Sequence, residues 1–406
     1  MNGSTVVIGG GAAGIAAART LHVAGCDVLL VEASDRLGGR ARSLPLPELG
    51  ATVDLGCGWL HSGGRNPWVG IAEASDFTVD RSPANWDQQW RDLDFSPEER
   101  EAFGTAWDYF ERAALDARDG PDRPLSDFLA EDEPWRPLID AISGYVNGAP
   151  LARVSLHDWA AYEEAATEDN WTVRESYGTL VASHAAGVPT RLNTPVTRID
   201  HCSRALRLDT PAGTIEADRV IVAVPTPVLA SGALAFDPPL PDKQQAADDL
   251  PLGLADKVFL AVDRAEWSAN QHLIGNPHSA CTASHRLSPF GWPVIESFFG
   301  GDCAEALEGG DAAAFAIDEL VALLGSGWRD RLRPIATTRW RREPFIRGSY
   351  SHARVGCATS RATLAEPVDD RIFFAGEACS TQDFSTAHGA YATGVAAARA
   401  ILAGSR

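Results

Sequence analysis

Lysine is scarce in this chain of 406 residues, since only Lys243 and Lys257 occur among its 35 basic residues. Long apolar runs are also missing, and none reaches the roughly 18 to 20 residues that span a membrane. The seven cysteines form no Cys-x-x-Cys pair and no metal-ligand spacing, so we expect neither a disulfide framework nor a metal site. An apolar strand that starts at Thr5 leaves no room for a signal peptide. Together these absences predict a soluble, cytoplasmic protein without a membrane partner.

Positive charge is in short supply as well, because 55 acidic residues outnumber the 35 basic ones and give a formal net charge of -20. A protein with this charge is repelled by phosphate backbones and by anionic membranes, which excludes nucleic acid as its main partner. The same charge favours the approach of small cationic molecules, but charge alone indicates more simply an acidic surface that keeps the protein in solution. The length suffices for two or three domains, each with a buried core.

A glycine motif near the start of the chain carries the strongest functional signal. Gly9, Gly11 and Gly14 form the pattern G-x-G-x-x-G between an apolar strand and an amphipathic helix that runs to about Ala24. A second apolar strand follows and ends on Glu32. The glycines let the backbone turn tightly and approach a pyrophosphate at the helix N-terminus, and Glu32 stands where an acid accepts hydrogen bonds from an adenosine ribose. The motif therefore predicts a dinucleotide site.

Distant segments are predicted to add strands to the same domain. We expect strands over 191–199, 218–224 and 372–375, the second of them a buried parallel strand that returns to the sheet of the motif. A long helix of small residues from about Thr386 offers a second helix N-terminus to an anionic group. Between 76 and 171, tryptophans, acidic runs and helical periodicity predict a mainly helical insert that belongs to a second domain.

The segment from 236 to 351 also belongs to the second domain by its pattern. It combines alternating strands over 257–262 and 293–299 with a helix over 312–324. The nucleotide-binding domain is therefore discontinuous. We expect it to comprise residues 1–75, 174–235 and 352–406, and the substrate domain to comprise residues 76–173 and 236–351.

Eight blocks of sequence, in this order, resemble the flavin-containing amine oxidase family, which includes monoamine oxidases, polyamine oxidases and the lysine-specific histone demethylase. The blocks are GGGAAGIAAA with Glu32, LGGRARS, LGCGWLHSGGRNP, RLNTPVTRI, ADRVIVAVP, GLADKVFLAVDRAEW, TTRWRREPFIRGSYSHARVG and FFAGEACSTQDFSTAHGAYATG. The resemblance spans nearly the whole chain and implies FAD, rather than NAD, as the cofactor. It also implies an α/β fold in which a discontinuous Rossmann-type FAD-binding domain joins an α+β substrate domain, with the flavin ring at their junction.

The resemblance assigns cofactor contacts to particular residues. Glu32 is expected to hold the adenosine ribose, Arg40 to reach the pyrophosphate and the flavin side, and Val196 to meet the adenine through its backbone. Glu377 is expected to bind the ribityl-phosphate portion. The expected cofactor residues are Gly9, Gly11, Ala13, Gly14, Glu32, Gly39, Arg40, Gly56, Cys57, Gly58, Trp59, Val196, Trp340, Gly376, Glu377, Thr386 and Ala387.

The resemblance also implies three catalytic residues, Lys257, His61 and Tyr350. Lys257 matches the family lysine that positions a water near flavin N5, where a cation favours anionic reduced flavin and its reaction with dioxygen. Tyr350 matches a wall that faces the substrate amine, and Trp340 is expected to pack beside the flavin. His61 lies in a segment similar to one of the polyamine oxidases in which a histidine contacts the substrate nitrogen. A side chain with a pKa near 6.5 suits contact with an amine at physiological pH.

Two positions depart from the monoamine oxidase pattern. Ser349 stands where those enzymes have a cysteine that is linked to the flavin, so we expect non-covalent FAD. Thr386 stands where they have the second aromatic wall of the substrate site, as in the demethylase. We therefore expect a substrate cleft that is more open on that side.

The activity that the resemblance implies is transfer of hydride from the carbon next to an amine nitrogen to flavin N5. Water then hydrolyses the imine to an aldehyde, and dioxygen reoxidises the flavin to give hydrogen peroxide. A small cationic amine of the polyamine type is the first expectation. The alternatives are monoamine oxidation, L-amino-acid oxidation, a carbon–carbon desaturase of the same superfamily, and flavin binding without turnover. Amino-acid oxidation requires an arginine in the substrate domain to bind the carboxylate, and the sequence alone does not place one.

Overall fold

A computed structural model describes residues 3–86 and 88–404 of the chain. In these residues the backbone forms eighteen strands and twelve α-helices. The strands are β1 Thr5–Ile8, β2 Val28–Val31, β3 Ser43–Leu46, β4 Ala51–Asp54, β5 Val79–Asp80, β6 Thr172–Val173, β7 Thr190–Arg191, β8 Arg198–Asp200, β9 Leu206–Thr210, β10 Gly213–Ala217, β11 Arg219–Val222, β12 Ala235–Asp237, β13 Ala255–Val262, β14 Gln271–Ile274, β15 Ser284–Leu287, β16 Val294–Gly300, β17 Leu332–Thr337 and β18 Ile372–Phe374. The α-helices are α1 Ala12–Val23, α2 Pro67–Ala74, α3 Pro97–Asp116, α4 Arg136–Asn147, α5 Leu156–Ala165, α6 Tyr177–Ser183, α7 Thr226–Ala230, α8 Pro241–Asp249, α9 Gly301–Glu308, α10 Ala312–Leu324, α11 Ser360–Ala365 and α12 Ala387–Gly404.

The first sheet is parallel throughout and has the strand order β18-β11-β1-β2-β7. Its central strand pairs Thr5 with Val28 on one side and with Arg219 on the other. All four residues of β1 are buried, as is typical of a parallel strand that is covered on both faces. Because the carboxyl ends of parallel strands meet at one edge, the residues that follow β1 and β2 come together there.

Two helices from opposite ends of the chain pack together on this sheet. Helices α1 and α12 share a core with β1, β2, β11 and β18. Gly394 of α12 approaches α1 so closely that a Cβ atom there would lie 2.1 Å from the carbonyl oxygen of Ala13. Small residues therefore let the two backbones touch, and both ends of the chain contribute to one layer.

The second sheet is antiparallel and has the strand order β14-β15-β16-β13-β17. All eight residues of β13 are buried, and Phe259 of this strand shares a core with Leu320 of α10. The strands predicted over 257–262 and 293–299 and the helix predicted over 312–324 are confirmed, with β13 beginning two residues earlier than expected. Shorter sheets have the order β10-β9-β8-β12, β3-β4 and β5-β6.

The predicted helical insert is confirmed by α3, α4 and α5, which share a core of their own. Helix α4 also lies directly on the second sheet. A Cβ atom on Gly300 of β16 would lie 2.0 Å from the carbonyl oxygen of Gly144 in α4, so glycine at this position lets the helix and the strand touch.

The strand predicted over 191–199 is wrong. Only Thr190–Arg191 pairs with β2, and pairing resumes at Arg198–Asp200 in a different sheet. The chain between them turns at Asn193, which has a φ of 51°, and then passes Pro195, which has no backbone N–H to donate to a strand. Residues 192–197 therefore form a loop between two short strands.

One disulfide is present, between Cys281 and Cys303. The cysteine spacing argued against a disulfide framework and did not reveal this single pair. Cys281 precedes β15 and Cys303 follows β16, and the antiparallel pairing of Ser284 with Phe298 brings those two ends together. None of the helices described above combines the length and the apolar character that a membrane crossing requires. Among residues 3–86 and 88–404, no group of three or more His, Cys, Asp or Glu side chains could hold a metal ion.

Candidate active site

A cavity of about 1670 Å³ receives side chains from the first sheet, the second sheet and the helical insert. Pockets for small molecules commonly measure about 300 to 1000 Å³, so this one has room for a cofactor together with a substrate. Every residue that the sequence placed in the site lines the cavity, with the exception of Gly14. These residues are Gly9, Gly11, Ala13, Glu32, Gly39, Arg40, Gly56, Cys57, Gly58, Trp59, His61, Val196, Lys257, Trp340, Tyr350, Gly376, Glu377, Thr386 and Ala387.

The glycine turn after β1 forms one end of the cavity. Gly9 has a φ of 105°, and a Cβ atom there would lie 2.4 Å from the carbonyl oxygen of Ala223. Gly11 is open, because nothing lies within 4 Å of the place that its Cβ would take. Gly14 lies inside α1, where a Cβ atom would come 1.8 Å from the carbonyl oxygen of Gly9. Gly14 therefore permits the close packing of helix on strand and does not face the cavity.

Glu32 follows β2 at the same end and is only 8% exposed. Its Oε2 atom accepts a hydrogen bond from the N–H of Gly10 at 2.6 Å. Its Oε1 atom accepts from the N–H and from the hydroxyl of Ser34, both at 2.8 Å. These bonds fix the carboxylate on the cavity wall and leave Oε2 with acceptor capacity for a ribose hydroxyl.

Arg36 lines this end too, although the sequence analysis did not single it out. Its Nη1 atom donates to the carbonyl oxygen of Gly39 at 2.9 Å. Burial and the nearby charge of Arg42 lower the pKa of Arg36, as is expected for a cation without a carboxylate in direct contact. The sequence could have indicated Arg36, because this residue lies four residues before Arg40 and beside the same glycine turn.

Arg40 and the buried Glu377 form an ion pair, with Nη1 and Oε1 at 2.8 Å. Arg40 also donates to the carbonyl oxygen of Ser349 at 2.7 Å. Glu377 accepts further bonds from the N–H and hydroxyl of Ser351 and from the N–H of Ser385. Burial raises the pKa of Glu377, but Arg40 and a second arginine outweigh it and hold the pKa below its ordinary value. Because protein donors occupy both oxygens, this carboxylate holds Arg40 in place, and its expected contact with a cofactor stays a prediction.

Two helix N-termini face the cavity, and they make it suited to a dinucleotide. Gly11, Ala12 and Ala13 expose the start of α1, and its first N–H groups have no side-chain cap. Thr386 precedes α12, and its hydroxyl accepts from the N–H of Gly389 at 3.0 Å. The uncapped N–H groups of α1 and the dipoles of both helices stabilise negative charge at these places. With the open turn at Gly11, these features fit the phosphates and the electron-rich ring edge of FAD.

Lys257 is buried in the cavity wall, with an exposed side-chain fraction of 8%. Its Nζ atom donates to the carbonyl oxygen of Asp54 at 3.0 Å and lies 2.7 Å from Oε1 of Glu296. It also lies 3.5 Å from the place that a Cβ of Gly58 would take, which puts it beside the predicted flavin segment. The sequence analysis missed Glu296, because only the pairing of β13 with β16 brings it to the lysine.

Trp340 and Tyr350 also line the cavity, and Trp340 lies beside the same glycine segment. A Cβ on Gly56 would lie 3.3 Å from the Trp340 ring, so the glycine lets the indole approach. The Tyr350 hydroxyl donates to the carbonyl oxygen of Tyr145 in α4. The hydroxyl of Ser349 contacts both the N–H and the carbonyl oxygen of Ala255 at 2.8 Å, so it is held by the backbone of β13.

His61 lines the cavity, and its Nδ1 atom lies 2.7 Å from Oδ1 of Asn170. The amide nitrogen of Asn170 donates to the carbonyl oxygen of Glu168 at 3.0 Å, which turns the amide oxygen toward the imidazole. This arrangement places the proton on Nδ1 and leaves Nε2 as an acceptor. Burial lowers the pKa of His61 to about 4, although Asn170 opposes the shift, while His388 adds to it. The imidazole is therefore neutral at physiological pH.

Glu111 of α3 and Glu163 of α5 line the helical side of the cavity, and the sequence analysis missed both. Burial raises the pKa of Glu163 to about 7, and the negative charge of Glu111 acts in the same direction. Burial also raises the pKa of Glu111. No motif marks these residues, and only the packing of the two helices shows that they share a wall. Such a wall attracts a cationic group.

Comparison with known proteins identifies the family. Residues 12–402 match the family model for flavin containing amine oxidoreductases. The chain belongs to the flavin-containing amine oxidoreductase family. It is therefore a flavin-dependent amine oxidase, and its cofactor is FAD.

Relatives in this family include proteins of two kinds. Polyamine oxidase 2 from Arabidopsis thaliana is 30% identical over 444 residues, which cover 97% of this chain and 87% of the relative. Lysine-specific histone demethylase 1 homolog 2, also from Arabidopsis thaliana, is 28% identical over 439 residues, which cover 98% of this chain but 58% of that protein. The solved structure of a putrescine oxidase bound to putrescine matches with a TM-score of 0.81 and 19% identity, over 99% of both chains. This likeness confirms the predicted fold class, while the residue boundaries of the two domains stay a prediction.

Proposed function

We propose that this amine oxidase acts on small cationic amines of the polyamine type. One observation carries the proposal: the acidic wall of Glu111 and Glu163 belongs to the same cavity as Lys257, His61 and Tyr350. An elongated amine can therefore extend a cationic end toward the carboxylates while another nitrogen lies near the predicted flavin site. The net charge of -20 favours the approach of such molecules. The names of the relatives, a polyamine oxidase and a putrescine oxidase, indicate the same class.

FAD fits the cavity through the residues that line its other end. Glu32 would hold the ribose, the N-terminus of α1 and Arg40 the pyrophosphate, and Trp340 and the N-terminus of α12 the flavin ring. When bound, FAD accepts hydride from the carbon next to the amine nitrogen and passes the electrons to dioxygen, which gives hydrogen peroxide. Ser349 stands where the family's covalently linked members have a cysteine, and its hydroxyl is held by backbone groups, so we expect FAD to bind without a covalent link.

The chain's own residues prepare the amine. Its nitrogen must be uncharged when hydride leaves, because the lone pair on nitrogen drives the transfer. His61 offers a neutral acceptor at Nε2 for an N–H of the substrate, and a neutral imidazole does not repel a cationic amine. Tyr350 forms a wall that orients the substrate. Water then hydrolyses the resulting imine to an aldehyde.

Lys257 supplies a fixed positive charge beside the flavin site. Glu296 and the carbonyl oxygen of Asp54 hold its Nζ atom, so the charge keeps one position and does not follow a mobile side chain. A fixed cation stabilises negative charge that develops nearby, and it does so without reorganisation.

The residues that line the cavity suit the alternative functions to different degrees. A monoamine has only one cationic group, so it has no second one to contact Glu111 and Glu163. A carbon–carbon desaturase does not need a cationic substrate, so the acidic wall would have no function in it. An L-amino-acid oxidase needs an arginine on the substrate side, and Arg286 of the second sheet lines the cavity. A protein that only bound flavin, without turnover, would not need a lysine held in one position as Lys257 is.

Variants of two neighbouring glutamates test the proposal. Glu163→Gln should raise the KM for spermidine about tenfold at pH 8, and by less at pH 6, where the wild-type carboxyl is largely protonated. Glu164→Gln serves as the control, because Glu164 is exposed and pairs with Arg118 on the surface. Equal KM values in the two variants would show that the acidic wall does not bind the substrate.

A further inference from the structure

Two buried carboxyl groups lie side by side behind the cavity wall. Asp256 of β13 and Glu308 at the end of α9 are 5% and 7% exposed. Oδ1 of Asp256 accepts from the N–H of Trp340 at 3.1 Å and from the hydroxyl of Thr338 at 2.6 Å. Oε1 of Glu308 accepts from the next backbone N–H, that of Arg341, at 2.9 Å. Neither carboxyl lines the cavity, and the mechanism proposed above does not use them.

One oxygen of this pair receives no donor. Oδ2 of Asp256 is buried, and no N–H or O–H group within residues 3–86 and 88–404 donates to it. The side chain of Glu308 contacts Asp256. Burial raises the pKa of Asp256 to about 7, and Glu308 acts in the same direction, against the bonds from Thr338 and Trp340. Two ionised carboxylates in one site repel each other, whereas one proton between them turns an acceptor into a donor.

The nearby arginines do not neutralise the pair. Nε of Arg342 lies 3.7 Å from Oε2 of Glu308, but the Arg342 side chain is exposed, so water screens this contact. The guanidinium of Arg341 has a different partner, because its Nη1 atom lies 2.9 Å from Oε1 of the exposed Glu305. One screened cation therefore faces two buried carboxyl groups.

On the cavity side, the charged neighbours have other roles. Lys257 follows Asp256 on β13, so its side chain points to the opposite face of the strand, where it pairs with Glu296. Burial raises the pKa of Tyr350 above its ordinary value, and the charge of Asp256 adds to this shift, so the phenol stays neutral. The protonation of Asp256 and Glu308 therefore depends mainly on their contact with each other.

The backbone that the two carboxyls hold carries the aromatic wall of the cavity. The Trp340 ring lies 3.3 Å from the place that a Cβ of Gly56 would take, beside the predicted flavin segment. The carbonyl oxygen of Trp340 also accepts from the N–H of Gly348 at 3.0 Å, two residues before Tyr350. A displacement of residues 338–341 would therefore reach both aromatic side chains.

We propose that Asp256 and Glu308 share one proton and act together as positioning residues for Trp340 beside the flavin. This inference rests on the part of the proposed function that places FAD against Trp340. With the proton between them, the two carboxyls hold the N–H groups of residues 340 and 341 in one geometry. When the proton leaves, repulsion between the carboxylates separates these two anchors and moves the indole away from the flavin ring.

The fluorescence of the bound flavin tests this inference without a substrate. An indole in contact with the flavin ring quenches its emission, so the emission of the wild-type holoenzyme should rise in one step near pH 7. The titration runs from about pH 5 to about pH 9, and free flavin is removed on a desalting column before each reading.

Two substitutions of Asp256 should give opposite constant levels of emission. Asp256→Asn donates a permanent N–H to Glu308 and keeps an oxygen for Thr338 and Trp340, so the step should be lost and the emission should stay at the low-pH level of the wild type. Asp256→Ala removes the acceptor of the Trp340 N–H, so the emission should stay at the high-pH level. Glu305→Gln is the control and should keep the step, because Glu305 lies on the same helix and contacts the same segment at the surface.

The outcomes separate this inference from the amine oxidase proposal. A step of wild-type size in Asp256→Asn would overturn the shared proton, and so would a wild-type emission that does not change with pH. If Asp256→Asn does not fold with FAD, Glu308→Gln decides in the same way, because its amide donates to Oδ2 of Asp256. The readout needs no amine, so a flavin that no amine reduces would contradict the proposed function and leave the positioning pair in place.

Discussion

The Nζ atom of Lys257 lies 2.7 Å from Oε1 of Glu296, inside the cavity and beside the glycine segment that is expected to line the flavin. The other lysine of the chain has a different task. Lys243 of α8 donates to the carbonyl oxygens of Thr363 and Glu366 at the end of α11, where it satisfies carbonyls that the helix leaves open. Replacing each lysine in turn therefore separates an effect on catalysis from an effect on stability.

Lys257→Met should slow the reaction of the reduced enzyme with dioxygen about a hundredfold. The reason is that the variant loses the fixed positive charge that stabilises developing negative charge at the flavin site. Stopped-flow absorption gives this rate, and the rate of anaerobic reduction should change less. Lys243→Met should leave both rates unchanged and lower the free energy of unfolding. A dioxygen rate in Lys257→Met equal to that of the wild type would remove the lysine from the mechanism.

His61→Ala should slow anaerobic reduction of the flavin about a hundredfold while FAD stays bound. The variant loses the neutral acceptor that contacts the substrate nitrogen. Because burial lowers the pKa of His61 to about 4, this residue should contribute no step to the pH profile of reduction between pH 6 and 9. The rate of reduction and the flavin-to-protein ratio are measured together. An unchanged rate would place His61 outside the substrate contacts.

Denaturation with acid should release all of the flavin into the supernatant. Ser349 stands where a covalent link would need a cysteine, and its hydroxyl is bonded to the backbone of Ala255. The absorption spectrum of the supernatant after precipitation is the measurement. Yellow colour that stays with the protein pellet would contradict non-covalent binding.

The stability of the folded protein should depend on pH through Glu163. Its pKa is about 7 in the fold, because burial raises it from an ordinary value near 4.5. The stability that the protonated carboxyl contributes is therefore fully present below about pH 4.5 and is lost as the pH rises through 7. Compared with the wild type, Glu163→Gln should gain up to about 3 kcal/mol in free energy of unfolding between pH 4.5 and 8. Urea unfolding at both pH values measures the difference, and a difference that does not depend on pH would contradict the raised pKa.

The parts of the site that lie next to sequence motifs were predictable. The glycine turn, Glu32 and the strands around them depend on local patterns, because a tight turn, a buried parallel strand and a helix N-terminus each need particular residue types. The segment at 191–199 was predicted as one strand, but its two ends pair in different sheets. The turn at Asn193 and the missing N–H of Pro195 separate them.

The substrate side could not be predicted in the same way. Glu296 and Arg286 are ordinary members of alternating strands, and their meeting near Lys257 depends on the register between β13, β15 and β16. Glu111 and Glu163 come from helices that are about fifty residues apart and share a wall only through packing. Long-range pairing of this kind leaves no local pattern in the sequence.

Anaerobic titration of the purified yellow protein with amines, followed by the visible absorption of the flavin, tests the central claim most directly. The panel should contain spermine, spermidine, their acetylated forms, basic amino acids and simple monoamines. We predict that polyamine-type amines bleach the flavin, and that the Lys257→Met and His61→Ala variants bind FAD under the same conditions. Bleaching by monoamines alone would contradict the substrate class. A flavin that no amine bleaches would contradict the account of this cavity as the active site of an amine oxidase.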